Sequence, residues 1–116
     1  MFLLDTNLYI RGLTDPVFGE ALAQFQRREI KRLWISAVVV FEVTVGARDA
    51  SHAAAWERWL VHPFRTRERL LVPGESTWRV AAEARRRLAA TKRYEASLAR
   101  ASVQNDLLIA ATCRER

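Results

Sequence analysis

The sequence predicts an α/β fold with a parallel sheet, because short apolar runs compatible with strands alternate with stretches of helical periodicity. The chain has 116 residues, half of them hydrophobic, which suits one globular domain over residues 1–116. The apolar run at residues 2–4 predicts a buried first strand. Asp15 and Pro16 then predict the N-cap and the first position of a helix that continues to the basic cluster near residue 30.

Residues 33–47 allow two interpretations. The β-branched run that begins at Val38 favours a strand by propensity. Ser36, however, is a good N-cap and Gly46 a good helix stop, which together favour a short strand at residues 33–35 followed by a helix. Composition alone favours the strand. This segment contains Glu42 and is shorter than the roughly 20 residues that a membrane span needs, so we expect no transmembrane helix.

The remaining elements follow from periodicity. We predict a helix at 50–61, a short strand at 69–72, a helix at 76–90, a loop at 91–97 and a last helix from 98. The last helix should bury Val103, Leu107, Ala110 and Ala111. The four tryptophans are interpreted as core or dimer contacts rather than as base-stacking platforms; they are Trp34, Trp56, Trp59 and Trp78.

The charge indicates an anionic partner or a solvated surface. The formal net charge is +6 and the pI is about 10.7, with arginines in local clusters that include residues 85–87. Arginine forms two hydrogen bonds to phosphate, so RNA is a reasonable partner, whereas exposed helix faces would explain the same clusters. The single cysteine, Cys113, cannot form an internal disulfide, and the N-terminus does not resemble a signal peptide. We therefore expect a cytoplasmic location.

Three carboxylates interrupt apolar runs. Asp5 follows the first strand, Glu42 lies within 33–47, and Asp106 precedes the apolar run at 107–111. A buried lone charge costs several kcal/mol or more, so each acid needs a partner. Taken together, they are predicted to converge on one divalent cation, and ligand sets made only of oxygen favour Mg²⁺ or Mn²⁺ over zinc.

Each acid also has a purely structural explanation. Asp5 would cap the segment after it, Glu42 would pair with Arg48, and Asp106 would pair with Arg100 or Arg114. The histidines lie far from these acids along the chain and are interpreted as surface residues; they are His52 and His62.

Three segments carry a family resemblance. They are FLLDTN at residues 2–7, Ser36 with EVTVG at 42–46, and NDLLIAA at 105–111. In order and spacing they resemble the PIN-domain ribonucleases, most closely the VapC-like toxins of bacterial toxin–antitoxin pairs. The resemblance implies a PIN-like α/β/α sandwich with a central parallel sheet, and it places Glu42 on a helix after the second strand.

The resemblance also implies roles for single residues. Asp5, Glu42 and Asp106 match the acidic metal-site positions, for Mg²⁺ or Mn²⁺, and Asn7 matches a polar position that orients the first aspartate or a metal-bound water. Thr6 is a weaker candidate for that orienting role. The implied activity is RNA hydrolysis, with tRNA or mRNA as substrate and with a 5′-phosphate and a 3′-hydroxyl as products. The implied partners are a cognate antitoxin and a second copy of the chain.

The sequence departs from the family after the helix that bears Asp106. Family members continue into a further strand, a fourth acidic residue and a last strand, so we expect these strands to be missing and residues 2–4 to form an exposed edge. A catalytically inactive remnant that binds an antitoxin or RNA is therefore the alternative function. A haloacid dehalogenase-type hydrolase would need a second aspartate where this chain has Asn7.

Overall fold

The computed structural model describes residues 1–91 and 101–115, with side chains in the last helix from Val103 onward. These residues form two compact units, Met1–Leu71 and Val72–Arg116. The first unit holds a small parallel sheet flanked by helices, as the predicted α/β class requires. In the second unit the described residues form two helices. Residues 92–97 of the predicted loop at 91–97 lie outside the described residues, as does the predicted helix start at 98.

Within the described residues, the sheet has three short parallel strands in the order β1-β2-β3. They are β1 (Phe2–Leu3), β2 (Leu33–Ser36) and β3 (Leu70–Leu71). Phe2 pairs with Leu33, and Ile35 pairs with Leu70. All three strands therefore end at the same edge of the sheet, and β1 is an outer strand of the described sheet.

The helices of the first unit begin where local capping permits. They are α1 (Thr6–Thr14), α2 (Pro16–Arg28), α3 (Ala37–Val45), α4 (Ala50–Trp56), a π-helical turn at Glu57–Val61, and α5 (His62–Thr66). Asp15 caps α2, as predicted, by accepting the backbone N–H groups of Val17 and Phe18, both at 3.1 Å. The second of the two interpretations of residues 33–47 is confirmed, because Ser36 Oγ accepts the N–H of Val38 and Gly46 ends α3.

The core of the first unit lies between the sheet and its helices. Its fully buried side chains are Leu33, Ile35, Val39, Val43 and Val61. Burial on both β2 and α3 explains why 33–47 is mostly apolar, with Glu42 as its one charge, without being one long strand. Tertiary packing and end-capping have overridden β-propensity here.

In the second unit, α6 (Glu75–Ala89) packs against α7 (Ala101–Glu115). The prediction that Ala110 lies inward is wrong, because Ala110 is exposed whereas its neighbours Ile109 and Ala111 are buried. Thr77 on α6 donates a hydrogen bond to the Glu115 carboxylate on α7. None of the helices in the described residues combines the length and the hydropathy that crossing a bilayer requires.

Helices α1 and α2 cross at two glycines, Gly12 and Gly19. A Cβ on Gly19 would overlap the Gly12 carbonyl oxygen, which is rigid backbone. A Cβ on Gly12 would instead lie 2.8 Å from Leu22 Cδ2, the end of a flexible side chain. This close approach sets the position of α1, which begins directly after Asp5.

We expect Gly19→Ala to lower the free energy of unfolding by about 2 kcal/mol, since inserting an atom into a filled contact costs about 1–3 kcal/mol. Gly12→Ala is the matched control, because both variants gain roughly 1 kcal/mol in helix propensity whereas at Gly12 only the flexible end of Leu22 has to shift. Urea unfolding followed by circular dichroism measures both. Equal stability of the two variants would contradict a backbone contact at Gly19.

Candidate active site

Asp5 lies two residues beyond the end of β1 and is half-buried. Its Oδ1 accepts the backbone N–H of Thr6 at 2.7 Å and caps α1. The structural explanation of Asp5 as a helix cap is therefore confirmed. The cap uses only one carboxylate oxygen, and within residues 1–91 and 101–115 no hydrogen-bond donor reaches Oδ2.

Thr6 joins Asp5 to the second acid. Thr6 is buried, with 5% of its surface exposed, and its hydroxyl donates to Glu42 Oε1 at 2.8 Å. Glu42 lies on α3, the helix after the second strand, and it too is half-buried. One residue thus donates its backbone N–H to Asp5 and its side-chain O–H to Glu42, so the first unit brings two of the three predicted acids to one place.

No cation of the described residues neutralises these two acids. No Arg, Lys or His nitrogen in that part of the chain comes within 4.0 Å of the Asp5 or Glu42 carboxylate, and the expected alternative pair of Glu42 with Arg48 is not among the contacts there. Arginines elsewhere do pair with acids, for example Arg79 with Glu75. Asp5 and Glu42 therefore keep oxygens available to a ligand.

The oxygen chemistry of this pair suits a hard cation. Two carboxylates and a hydroxyl, with no cysteine among them, form the kind of donor set that Mg²⁺ and Mn²⁺ prefer. Asn7 is exposed on the first turn of α1, one residue beyond Thr6. Its predicted orienting role stays a prediction.

Asp106 lies on α7 in the second unit and is exposed. Its position on a helix was predicted, and one of its alternative partners, Arg100, lies outside the described residues. In the described ranges, 1–91 and 101–115, no group of three or more His, Cys, Asp or Glu side chains forms a metal site. The convergence of Asp106 with Asp5 and Glu42 stays a prediction.

A pocket of about 380 Å³ adjoins Glu42, and we call it the Glu42 pocket. Its other lining residues include Arg48, His52 and Trp56. His52 is half-buried rather than a remote surface residue, so its position differs from the sequence-based interpretation. Helix capping places it there, because the Asp49 carboxylate at the N-cap of α4 accepts the backbone N–H of His52 at 2.8 Å.

The His52 ring has a defined hydrogen-bonding pattern. Its Nδ1 accepts the backbone N–H of Arg48 at 3.0 Å, so in the neutral ring Nε2 carries the proton. The ring also lies 5.9 Å from that of Trp56, centroid to centroid. The spacing of residues along the sequence could not have shown that His52 lies beside the same pocket as Glu42, because a turn and the start of a new helix separate the two residues.

All four tryptophans are interpreted from the sequence as core or dimer contacts, but Trp59 is not part of the core. Its side chain is 76% exposed, and that of Trp78 is 49% exposed. Trp34 and Trp56 are half-buried. The π-helical turn at Glu57–Val61 explains the exposure of Trp59, since it shifts the residues after Trp56 out of α-helical phase while Leu60 and Val61 stay buried.

Tyr9 is an unusual polar residue in the first unit. It is 4% exposed, and its hydroxyl has no hydrogen-bond partner among the described residues. Burial raises the pKa of the Tyr9 hydroxyl above its ordinary value of 10.0, because the charged form would lose its hydration. The hydroxyl therefore remains a neutral O–H donor.

The arginine cluster on α6 is partly paired. Arg86 donates two hydrogen bonds to Glu83, and Arg87 donates one. The hydrogen bonds from Arg86 hold the pKa of the exposed Glu83 carboxyl below its usual range, and Glu83 raises the pKa of Arg86 in turn. This part of the cluster behaves as a solvated helix face, the second of its two interpretations.

We expect Tyr9→Phe to raise the free energy of unfolding at neutral pH by about 1 kcal/mol, because it removes a buried O–H without a partner. Above pH 10.0 the unfolded wild type loses the Tyr9 proton while the folded state keeps it, so wild-type stability falls as the pH rises. The phenylalanine variant lacks this contribution. Urea unfolding of both proteins from neutral to alkaline pH tests this; an unchanged stability difference across the range would disprove it.

The comparisons with known proteins identify a family. The chain matches the PIN domain family over residues 2–116. No curated protein and no solved structure gives a significant match. Because the family match covers nearly the whole chain, this protein belongs to the PIN domain family.

Proposed function

We propose that the chain is an Mg²⁺- or Mn²⁺-dependent endoribonuclease, a VapC-like toxin that hydrolyses RNA phosphodiester bonds. PIN domains are generally nucleases, which supports hydrolysis of a nucleic acid. The observation that carries the proposal is the bonding of Thr6 to both Asp5 and Glu42, with no cation beside either acid in the described part of the chain.

Asp5, Glu42 and Asp106 are the residues proposed to hold the metal. A bound divalent cation would screen the repulsion between the carboxylates and make water a better nucleophile near neutral pH. Thr6 holds one oxygen of Glu42 in place and leaves the other, Oε2, available. Asn7, exposed one residue further along α1, is proposed to orient water or Asp5.

RNA as the substrate agrees with the charge. Lys and Arg exceed Asp and Glu by six over the whole chain, so a polyanion is attracted at long range. The proposal includes the cytoplasm as location, tRNA or mRNA as substrate, a cognate antitoxin and a homodimer. Exposed apolar side chains support a protein partner, since Leu13 is 66% exposed and Phe41 is 60% exposed.

One observation favours the second candidate function, a catalytically inactive remnant that binds an antitoxin or RNA. Among residues 1–91 and 101–115, no three acidic, histidine or cysteine side chains form a metal site. A pair of carboxylates binds a divalent ion less tightly than a set of three, because fewer ligands replace its hydration. Cleavage assays separate the two candidates.

We expect RNA cleavage in Mg²⁺ or Mn²⁺ that a chelator abolishes. Asp5→Asn and Glu42→Gln should each slow it about a hundredfold or more, beyond the 10–100-fold typical of changes one step away from a metal. Asp15→Asn is the matched control, because Asp15 also caps a helix and asparagine caps equally well. The measurement is the rate of cutting of labelled tRNA and mRNA.

Three outcomes would reject the enzyme. If cutting survives the chelator, the activity belongs to another site or protein. The same holds if the Asp5→Asn and Asp15→Asn variants cut RNA at equal rates. Binding of RNA or of an antitoxin without any cutting would support the inactive remnant.

Thr6→Val should slow cleavage about 10- to 100-fold, the usual loss when a residue that orients a metal ligand is removed. Valine has nearly the shape of threonine but cannot donate to Glu42 Oε1. Thr6→Ser keeps the hydroxyl and should retain most of the activity. If valine and serine give the same rate, the hydrogen bond from Thr6 has no part in the reaction.

A further inference from the structure

A groove leads away from Glu42 within the first unit. The Glu42 pocket shares Arg48, His52 and Trp56 with a second pocket of about 450 Å³. The second pocket shares Trp59 and Leu60 with a third pocket of about 320 Å³. The shared residues make the three pockets neighbours, and we call this row of three pockets, which begins at Glu42, the Trp59 groove.

Trp59 is the main apolar surface of this groove. It lines both the second and the third pocket, and it is 76% exposed despite its size. Exposing a large indole is unfavourable in water, so a ligand that covers it gains free energy. The π-helical turn that presents it is a rare element often found at functional sites. An exposed aromatic face beside a row of pockets suits stacking with a planar ring.

The charges along the Trp59 groove select a polyanion. Its lining includes Arg48 near Glu42, and Arg27 and Arg67 at the far end. The only acid lining any of the three pockets, among the described residues, is Glu42 itself. Arg27 lies 3.9 Å from Glu20, but both side chains are 68% exposed, so that ion pair is weak and leaves the guanidinium accessible.

We propose that the Trp59 groove binds single-stranded RNA next to the cleaved phosphate, with a base stacked on Trp59 and phosphates near Arg27 and Arg67. This inference deepens the proposed function and rests on it for RNA as the polyanion. Stacking on a side chain needs a base that is free of its neighbours in a duplex. The groove therefore selects unpaired RNA, such as a loop, over a continuous double helix.

The test measures binding, independently of cleavage. Fluorescence anisotropy of a labelled, unstructured RNA oligonucleotide is recorded with the full chain in chelator, so that the RNA stays intact. Trp59→Ala should weaken binding on the order of tenfold, the usual effect of removing one stacking residue. Trp59→Phe keeps an aromatic face and should recover most of the affinity. Trp78→Ala is the matched control, since Trp78 is exposed on α6, outside the groove.

Phosphate contacts are tested by salt. The double variant Arg27→Gln/Arg67→Gln should lose two phosphate contacts. Each contact on single-stranded RNA contributes about 0.7 to the slope of log affinity against log salt, so the slope should become shallower by about 1.4. A fully paired RNA hairpin without a loop overhang should bind more weakly than the unpaired oligonucleotide. Equal affinity for paired and unpaired RNA would overturn the selection of single strands.

The outcomes separate this inference from the proposed function. If Trp59→Ala and Trp78→Ala bind RNA like the wild type, the groove does not take RNA, even if Asp5→Asn abolishes cutting. If Trp59→Ala weakens binding but the wild type cuts no RNA, the groove stands and the nuclease fails. If the wild type binds no RNA and Trp59→Ala instead weakens binding of a partner protein, the groove is a protein site and the inference is wrong.

Discussion

The hydrogen bonds of Thr6 are the constraint on which the candidate site depends. Its backbone N–H fixes Asp5 at the start of α1, and its hydroxyl fixes Glu42 on α3. The two acids are 37 positions apart along the chain, and they meet because β1 and β2 are parallel and end at the same edge of the sheet. Any change in register between these strands would separate the helices that start there. The distance between the two carboxylates therefore depends on the pairing of the strands as well as on the acids themselves.

Much of the first unit was predictable because local signals agreed with tertiary packing. Asp15 and Pro16 start α2, and Ser36 and Gly46 bound α3. At residues 33–47, however, composition favoured a strand, and only capping and the family resemblance indicated a helix. The helix forms because Val39 and Val43, one turn apart, both become buried against the sheet. A hydrophobic pattern indicates which residues are buried. When a segment is apolar on every side, however, the pattern does not distinguish a helical period from a strand period.

The rest of the site could not be predicted, for physical reasons that differ from residue to residue. His52 reaches the Glu42 pocket through the cap that Asp49 provides, a contact that depends on where α4 starts. Trp59 is exposed because five residues wind as a π-helical turn, a local change of phase that composition does not encode. Asp106 was correctly placed on a helix, but helical periodicity says nothing about which side chains from another part of the chain it meets.

The distribution of charge connects the acids to the groove. The chain has 19 Lys and Arg residues and only 13 Asp and Glu residues, and several surface acids pair with an arginine. Asp5 and Glu42 are half-buried, yet no cation of the described residues lies beside them. Leaving two carboxylates without a counter-charge costs stability unless something else supplies positive charge. Arginines instead line the groove beyond Glu42. This separation agrees with the proposed function, in which RNA phosphates would lie near the arginines and Asp5 and Glu42 would hold a divalent cation.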